Sequence, residues 1–344
     1  MNNSPTIDLI NEWDENSHRG KSVLKKFFLG ASVPKRLREH IRDLEIEEWN
    51  TLLESLFNGF FSRYGDDYLS SPRFRKDMVD QIKGRLEECR LYRVPWIDNA
   101  GRLEGARLLE IGCGTGSSTV AFAEQGALVT SVDVDEASLA VARDRCRLYG
   151  LDVQFLHGNA ASLHKEVFGA CHDIIVYHAT LEHLTTGERI ESLRQSWDIL
   201  VPGGIMVITA TPNRLWYYDS HTSLLPFYHW LPDDVALIYA SRSGRDNFSH
   251  AFKEPARASM EDFLRWGRGM SYHELEIAIA PLKRLAIISS LSAYRKKHYP
   301  FATFLMRLTK EYGVKHRYTT LLGRLFPEIP EAFLQENIDI IIRK

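Results

Sequence analysis

From residue 107 onward, short apolar runs alternate with longer amphipathic stretches. The predicted helical stretches include 118–125, 136–150 and 186–201, and the apolar runs that flank them are 106–112, 127–134, 152–158, 172–178 and 203–210. Strands that alternate with helices form βαβ units and a parallel sheet covered on both faces. Two later apolar runs, 282–292 and 337–344, are placed to close the sheet at one edge. We therefore predict a doubly wound α/β domain with a mostly parallel, seven-stranded sheet.

The first hundred residues have a different, helical pattern. One predicted buried helix face carries apolar residues three or four positions apart: Trp49, Leu52, Leu53, Leu56, Phe57, Phe60 and Phe61. A second amphipathic segment runs from about Arg73 to Tyr92, and we predict that it stops before Val94-Pro95, because proline disfavours helix in the preceding residue. We assign residues 1–100 to an N-terminal helical cap, which packs on the core, covers an active site, or does both.

Residues 101–344 form the predicted α/β domain, in which two stretches interrupt the strand–helix alternation. Residues from about 213 to 280 are rich in Trp, Tyr, His and Pro, and residues 294–332 separate the last two strands. Long excursions inside a compact domain usually serve as lids or binding elements. We expect both insertions to act as lids that select the substrate.

Composition excludes several classes of protein. Among 344 residues, 43 basic and 45 acidic side chains leave a net charge of −2, which argues against a nucleic-acid binder. No run approaches the roughly 18 apolar residues of a membrane span, and the polar N-terminus lacks the core of a signal peptide. The four cysteines show no metal or disulfide spacing. We expect a cytoplasmic protein without a metal site, and we leave a homo-oligomer open.

The strongest local motif is Glu110-Ile-Gly112-Cys-Gly114-Thr-Gly116, which follows one predicted strand and precedes a helix. Glycines allow a sharp turn and let a ligand approach the main chain. The spacing differs from the dinucleotide pattern G-x-G-x-x-G, whose third glycine would fall on Ser117. Asp133 ends the next strand, where a carboxylate can accept hydrogen bonds from both hydroxyls of a ribose.

These motifs, together with HGNA, DIIVYHATLEHL and LVPGGIMVITATPN, resemble the class I S-adenosylmethionine-dependent methyltransferases over about residues 107–213. The resemblance implies a Rossmann-like fold and S-adenosylmethionine as the cofactor. It also implies cofactor-binding roles for Glu110, Gly112, Gly114, Gly116, Asp133, Asn159, Ala160 and His178. Asn159 departs from the family, which often has aspartate there, although an amide also recognises adenine.

Side chains that follow the fourth strand are candidates for acid–base catalysis. His178, Glu182 and His183 lie in HATLEH, and His221 follows in the first insertion. A general base must reach the acceptor's proton. Packing and helix capping are the alternative roles for Glu182 and His183.

The start of the first insertion is dense in aromatic residues and is a predicted pocket wall. Its candidate substrate-binding residues are Trp216, Tyr217, Asp219 and Phe227. At least some of Trp216, Phe227 and Trp230 must instead anchor the insertion, and we expect His229 to be a packed, hydrogen-bonded core histidine.

We predict methyl transfer to a small, partly apolar metabolite, with O-methylation of a hydroxyl or carboxylate favoured. One alternative is C-methylation of an electron-rich ring or of an isoprenoid diphosphate. Aromatic faces would stabilise the cation that develops in this reaction. Methylation of a peptide carboxyl and a non-catalytic cofactor-binding partner protein also remain open.

Overall fold

The computed structural model describes residues 33–163, 171–307 and 309–344. They divide into two compact units. The first contains residues 33–160, 171–175 and 293–305, and the second contains residues 161–163, 176–292, 306–307 and 309–344. The predicted cap boundary at residue 100 does not separate these units. Residues 1–32 of that cap lie outside the described residues.

Six short helices begin the first unit: α1 Lys35–Glu39, α2 Ile46–Ser55, α3 Asp66–Leu69, α4 Pro72–Val79, α5 Arg85–Glu88 and α6 Val94–Ala100. Wider π-helical turns, at Leu56–Phe60, Asp80–Gly84 and Cys89–Arg93, interrupt the helical path. Trp49, Leu52, Leu56 and Phe61 are buried as predicted, but Phe57 is 44% exposed. The wider turn changes the angle between successive side chains, which moves Phe57 off the predicted face.

The predicted helix stop before Pro95 is wrong, because helical structure continues to Ala100. Proline has no N–H for the carbonyl four residues earlier, which here belongs to Leu91. The hydroxyl of the buried Tyr299 donates a hydrogen bond to that carbonyl at 3.2 Å. A π-helical turn at Cys89–Arg93 also precedes the proline.

Alternating strands and helices complete the first unit: β1 Arg107–Ile111, α7 Ser117–Ala123, β2 Leu128–Asp133, α8 Glu136–Leu148 and β3 Gln154–His157. β1 pairs with β2 and β2 pairs with β3, in both cases parallel. The interiors of β1 and β2 are mostly buried, as a parallel sheet covered on both faces requires. β4, His172–His178, has residues in both units.

The second unit contains α9 Thr186–Ile199, β5 Leu200–Pro212, α10 Asp233–Ala240, α11 Asp246–Ala251, α12 Met260–Arg265, α13 Tyr272–Ala278 and β6 Ala286–Ser290. Beyond β6, the chain forms α14 Leu291–His298, α15 Pro300–Arg307, α16 Lys310–Leu325 and β7 Asn337–Arg343. β7 lies antiparallel to both β5 and β6. Helices α10 to α12 enclose a buried cluster of their own, which includes Tyr228, Phe248 and Phe263.

The seven strands form one sheet in the order β3-β2-β1-β4-β5-β7-β6. The predicted strands, their number and the mostly parallel, doubly wound sheet are confirmed. The two late runs close one edge as predicted, and the antiparallel β7 lies inside that edge. Among the described residues, no helix combines the length and the apolar character that crossing a bilayer requires.

Replacing Tyr299 with phenylalanine removes the hydroxyl that satisfies the Leu91 carbonyl. We expect Tyr299→Phe to lower the free energy of unfolding by about 1 kcal/mol, measured by urea denaturation. Tyr239→Phe is the control, because the half-buried Tyr239 hydroxyl makes no hydrogen bond within the described residues. Equal effects of the two variants would contradict the assignment.

Candidate functional site

The loop after β1 carries three glycines in the left-handed region. Gly112, Gly114 and Gly116 have φ of 76°, 52° and 79°. The Gly112 N–H donates to the Val132 carbonyl at 2.7 Å, and the Gly114 N–H donates to Asp133 Oδ2 at the same distance. The glycine loop is thus tied to the carboxyl end of β2.

Gly114 and Gly116 are needed for different reasons. A Cβ on Gly116 would lie 2.9 Å from Ala142 Cα, so the glycine permits the close approach of α8. A Cβ on Gly114 would meet nothing within 4 Å. The backbone at Gly114 therefore borders open space, which a ligand can enter.

Glu110 lies beneath this loop and is fully buried. Its carboxylate accepts hydrogen bonds from the hydroxyls of Ser118, Thr119 (2.5 Å) and Ser131 (3.0 Å). Burial raises the pKa of Glu110, against the opposing effect of these hydrogen bonds. This geometry fits a brace for the loop and the start of α7.

Asp133 joins the loops that follow three strands. Its Oδ1 accepts a hydrogen bond from the Asp135 N–H at 2.9 Å, and its backbone carbonyl accepts one from the Gly158 N–H at 3.0 Å. Asn159 follows directly and is exposed, and Ala160 is half-buried. Both predicted adenine-side residues thus lie in the loop bonded to Asp133.

The residues of the first unit fit an adenosine-containing cofactor. Besides the open backbone at Gly114, the hydroxyl of Ser117 is buried and has no hydrogen-bond partner within the described ranges. Buried polar groups are usually satisfied, so an orphan hydroxyl beside a glycine loop is consistent with a missing ligand contact.

A second cluster lies in the second unit, around the short turn Leu181–His183. Glu182 is 0% exposed, and neither of its carboxylate oxygens has a hydrogen-bond partner among the residues that the structure describes. His221 Nε2 lies 3.7 Å and His183 Nε2 lies 4.0 Å from Glu182 Oε1. The structure therefore brings together three of the four predicted catalytic residues.

Both histidines have a hydrogen-bond partner at Nδ1. His183 Nδ1 lies 2.8 Å from the Arg265 carbonyl, which only accepts, so Nδ1 carries a proton. In the neutral His183 ring, the Nε2 lone pair then remains on the side near Glu182. His221 Nδ1 lies 3.1 Å from Thr222 Oγ1, a hydroxyl that can either donate to this nitrogen or accept from it.

His221 and His183 are also accessible, with side chains 40% and 46% exposed. Partial desolvation lowers the pKa of His221, while the Glu182 charge raises it. The fourth candidate, His178, ends β4, and its carbonyl accepts a hydrogen bond from Thr180 Oγ1 at 3.2 Å.

Asp219 is buried and its carboxylate is saturated. It accepts hydrogen bonds from the N–H groups of His221 and Thr222 at 2.9 Å and of Ser223 at 2.6 Å. His229 Nε2 lies 3.3 Å from Asp219 Oδ1, and His229 Nδ1 accepts from the Gly269 N–H at 3.0 Å. Asp219 thus organises the loop that carries His221, and His229 is a buried, hydrogen-bonded histidine.

Burial alone would raise the pKa of Asp219. His229 and the backbone N–H groups outweigh that effect and hold the pKa well below the usual carboxyl range. This carboxylate is therefore ionised and fully engaged within its own loop.

The aromatic residues of the insertion differ in exposure. Trp216 is buried against Tyr318 and Tyr217, with ring centroids 5.0 and 5.6 Å away. Phe227 is 48% exposed and packs on Trp230 at 4.9 Å. The exposed Phe227 has φ of 59°, which is strained for a bulky side chain. Trp216 is an anchor of the insertion, whereas Phe227 is available for contact.

The family model described as a methyltransferase domain matches residues 108–204. This match covers the glycine loop, Asp133 and Glu182. Over these residues the chain is similar to a methyltransferase domain.

The methyltransferase domain has curated relatives of similar sequence. The chain is 34% identical over 129 residues to the ubiquinone biosynthesis O-methyltransferase of Pseudomonas entomophila and 35% identical over 129 residues to that of Pseudomonas aeruginosa. Each match covers 38% of this chain and 54% of the relative, so the chain spans about half the length of these relatives. The structure of magnesium protoporphyrin IX methyltransferase from Synechocystis is 22% identical, covering 50% of this chain and 80% of that one, with a TM-score of 0.35.

Sequence reasoning missed a buried arginine of the second cluster. Arg189 donates to the carbonyls of Leu184 at 2.9 Å and Arg268 at 2.8 Å. The Arg268 N–H in turn donates to the Glu182 carbonyl at 3.0 Å. Arg189 thus holds the turn that carries Glu182. Arg189 lies on an amphipathic helix, where a buried arginine and an exposed arginine have the same sequence pattern. Its burial could therefore not be predicted from sequence.

Within the described ranges, no group of three or more His, Cys, Asp or Glu side chains is arranged to hold a metal ion.

Replacing Asp219 with asparagine removes the charge that organises the His221 loop. We expect Asp219→Asn to lower the free energy of unfolding at pH 7 by about 3 kcal/mol, measured by urea denaturation. A carboxylate with a lowered native pKa stabilises the fold above its unfolded pKa, and this contribution is lost as the pH falls below about 4. The unfolding free energy of the variant should therefore change less between pH 5 and 2.

The control for this experiment is Asp246→Asn, which changes an exposed aspartate in the same unit. If the unfolding free energy of Asp219→Asn falls with pH as steeply as that of the wild type, the stabilising role of the Asp219 charge is contradicted.

Proposed function

We propose that this protein transfers the methyl group of S-adenosylmethionine to a hydroxyl oxygen of a small, partly apolar metabolite. The observation that carries the proposal is the buried Glu182 carboxylate, which faces two histidines and has no hydrogen-bond donor among the described residues. A buried carboxylate beside accessible histidines is typical of a proton-transfer site.

The first unit supplies the groups for the cofactor. Gly112, Gly114 and Gly116 pass along its amino-acid portion, Asp133 accepts hydrogen bonds from the ribose, and Asn159 with Ala160 approaches the adenine. Glu110 supports the glycine loop from beneath. When bound, S-adenosylmethionine supplies a methyl carbon that its sulfonium activates for displacement.

The second unit supplies the proton acceptor. The His221 side chain is 40% exposed and lies beside Glu182, so its neutral imidazole takes the proton of the acceptor hydroxyl. The imidazolium that forms lies 3.7 Å from the Glu182 carboxylate, which stabilises the new positive charge. His183 Nε2 lies 4.0 Å from the same carboxylate, and His183 is the second candidate for the proton acceptor. His178 remains a candidate contact of the cofactor at the end of β4.

The charge of this cluster favours a hydroxyl over a carboxylate as the acceptor. A carboxylate needs no base, and its charge would be repelled by a second carboxylate that has no compensating hydrogen bond. A neutral hydroxyl avoids this repulsion and requires the base that the cluster provides.

The acceptor's apolar part has candidate contacts in the first insertion. Phe227 and the neighbouring Trp230 are exposed, and Tyr217 is half-buried. Trp216 and Asp219, also predicted to bind substrate, act through the insertion's structure, since both are buried by it.

The relatives support oxygen as the methylated atom, because their name describes an O-methyltransferase.

The acceptor class can be tested with methyl-labelled S-adenosylmethionine, purified protein and a cell extract, followed by phase separation. We expect label in the organic phase that survives mild alkali, because an aryl or alkyl methyl ether resists hydrolysis. Label released as volatile methanol would identify a carboxylate acceptor and overturn the proposal. Label that precipitates with protein would also overturn the proposal.

Removing the Glu182 charge should stop turnover without affecting the cofactor. We expect Glu182→Gln to lower kcat by about 10²- to 10⁴-fold, the usual range for acid–base groups, and to leave the Kd for S-adenosylmethionine unchanged. Without this charge the pKa of His221 falls further, so the acid limb of the residual pH–rate profile should move to lower pH.

The matched control is Glu191→Gln, on the exposed part of α9. Full activity of Glu182→Gln, or an acid limb that does not move, would contradict the assignment.

A further inference from the structure

We infer that Gln81, from the N-terminal helical segment, is a positioning residue of the cofactor-binding loop. It acts through a hydrogen bond to Thr115, which lies between Gly114 and Gly116. The inference rests on the proposed function, because it concerns the affinity of that same loop for S-adenosylmethionine.

The contact joins two segments that are distant in sequence. Thr115 Oγ1 donates a hydrogen bond to Gln81 Oε1 at 2.8 Å, and both side chains are buried. Gln81 lies in the π-helical turn Asp80–Gly84. Such turns often occur at functional positions, since they redirect a side chain out of the regular helical path.

A buried arginine supports the same junction. From α8, Arg145 donates to the carbonyls of Thr115 and Gln81, each at 2.8 Å, and to that of Ile82 at 3.4 Å. Both the side chain and the carbonyl of Thr115 are therefore held by groups outside the glycine loop.

The glycine loop needs such external support. Glycine residues have many accessible backbone conformations, so a loop of alternating glycines loses much entropy when it adopts one of them. The Gly114 N–H is held by Asp133 on one side, and Thr115 is held by Gln81 on the other. Releasing Thr115 leaves the loop free to sample conformations that do not fit the cofactor, and affinity falls by the fraction of competent loops.

The test measures binding of S-adenosylmethionine by isothermal titration calorimetry to the full-length chain. Gln81→Leu removes the acceptor, and Thr115→Val removes the donor with little change in shape. We expect each variant to raise the Kd by about threefold to tenfold, the worth of one hydrogen bond. The Kd of the double variant should not exceed that of the single variant with the higher Kd, because both substitutions remove the same contact.

Two further variants separate positioning from general stability. Thr115→Ser keeps the hydroxyl and should bind within about twofold of the wild type. Gln125→Leu is the matched control, since Gln125 is also buried and donates to the Leu37 carbonyl at 3.2 Å, away from the loop. It should lower the Tm and leave the Kd unchanged.

Wild-type affinity in Gln81→Leu and Thr115→Val would overturn the inference, as would additive losses in the double variant. An equal loss of affinity in Gln125→Leu would also overturn it, because the effect would then be one of stability. A wild-type chain that binds no S-adenosylmethionine would instead refute the proposed function.

Discussion

Both functional loops depend on a buried guanidinium that donates hydrogen bonds to backbone carbonyls. Arg145 holds Thr115 of the glycine loop, and Arg189 holds the turn of Glu182. Irregular loops cannot pair all their own carbonyls, and a buried unpaired carbonyl is costly. Arginine offers five donors in one rigid fork. Burial lowers the pKa of Arg145 to about 10, so the group still carries its charge at neutral pH.

Two buried carboxylates of the second unit differ in the hydrogen bonds that they accept. Asp219 receives several hydrogen bonds from its own loop, whereas Glu182 receives none from the part of the chain that the structure describes. The saturated carboxylate fixes the backbone of His221, and that histidine then stands beside the unsatisfied one. The two acidic groups thus differ in their contacts: Asp219 is bonded within its own loop, and Glu182 faces two histidine rings.

The predicted elements of the α/β part agree with the structure because burial imposes a simple rule there. A central parallel strand must be apolar throughout, and its helices must be amphipathic, so both leave a regular pattern. The N-terminal helices followed their pattern less closely. Phe57 left the predicted face at a π-helical turn, and helix continued through Pro95 because Tyr299, two hundred residues away, donates to Leu91. Rules based on neighbouring residues cannot predict a hydrogen bond from a residue so far away in sequence.

The sequence alone determined the strands, the glycine loop with Asp133, and the candidates Glu182, His183 and His221, since each depends on a local pattern or on chemistry specific to its residue type. Tertiary structure alone decided that Asp219 and Trp216 are buried and that Arg145, Arg189 and Gln81 support the loops. In a sequence, a buried arginine is indistinguishable from a solvated one. Only the packing of distant segments removes its water and directs its donors at particular carbonyls.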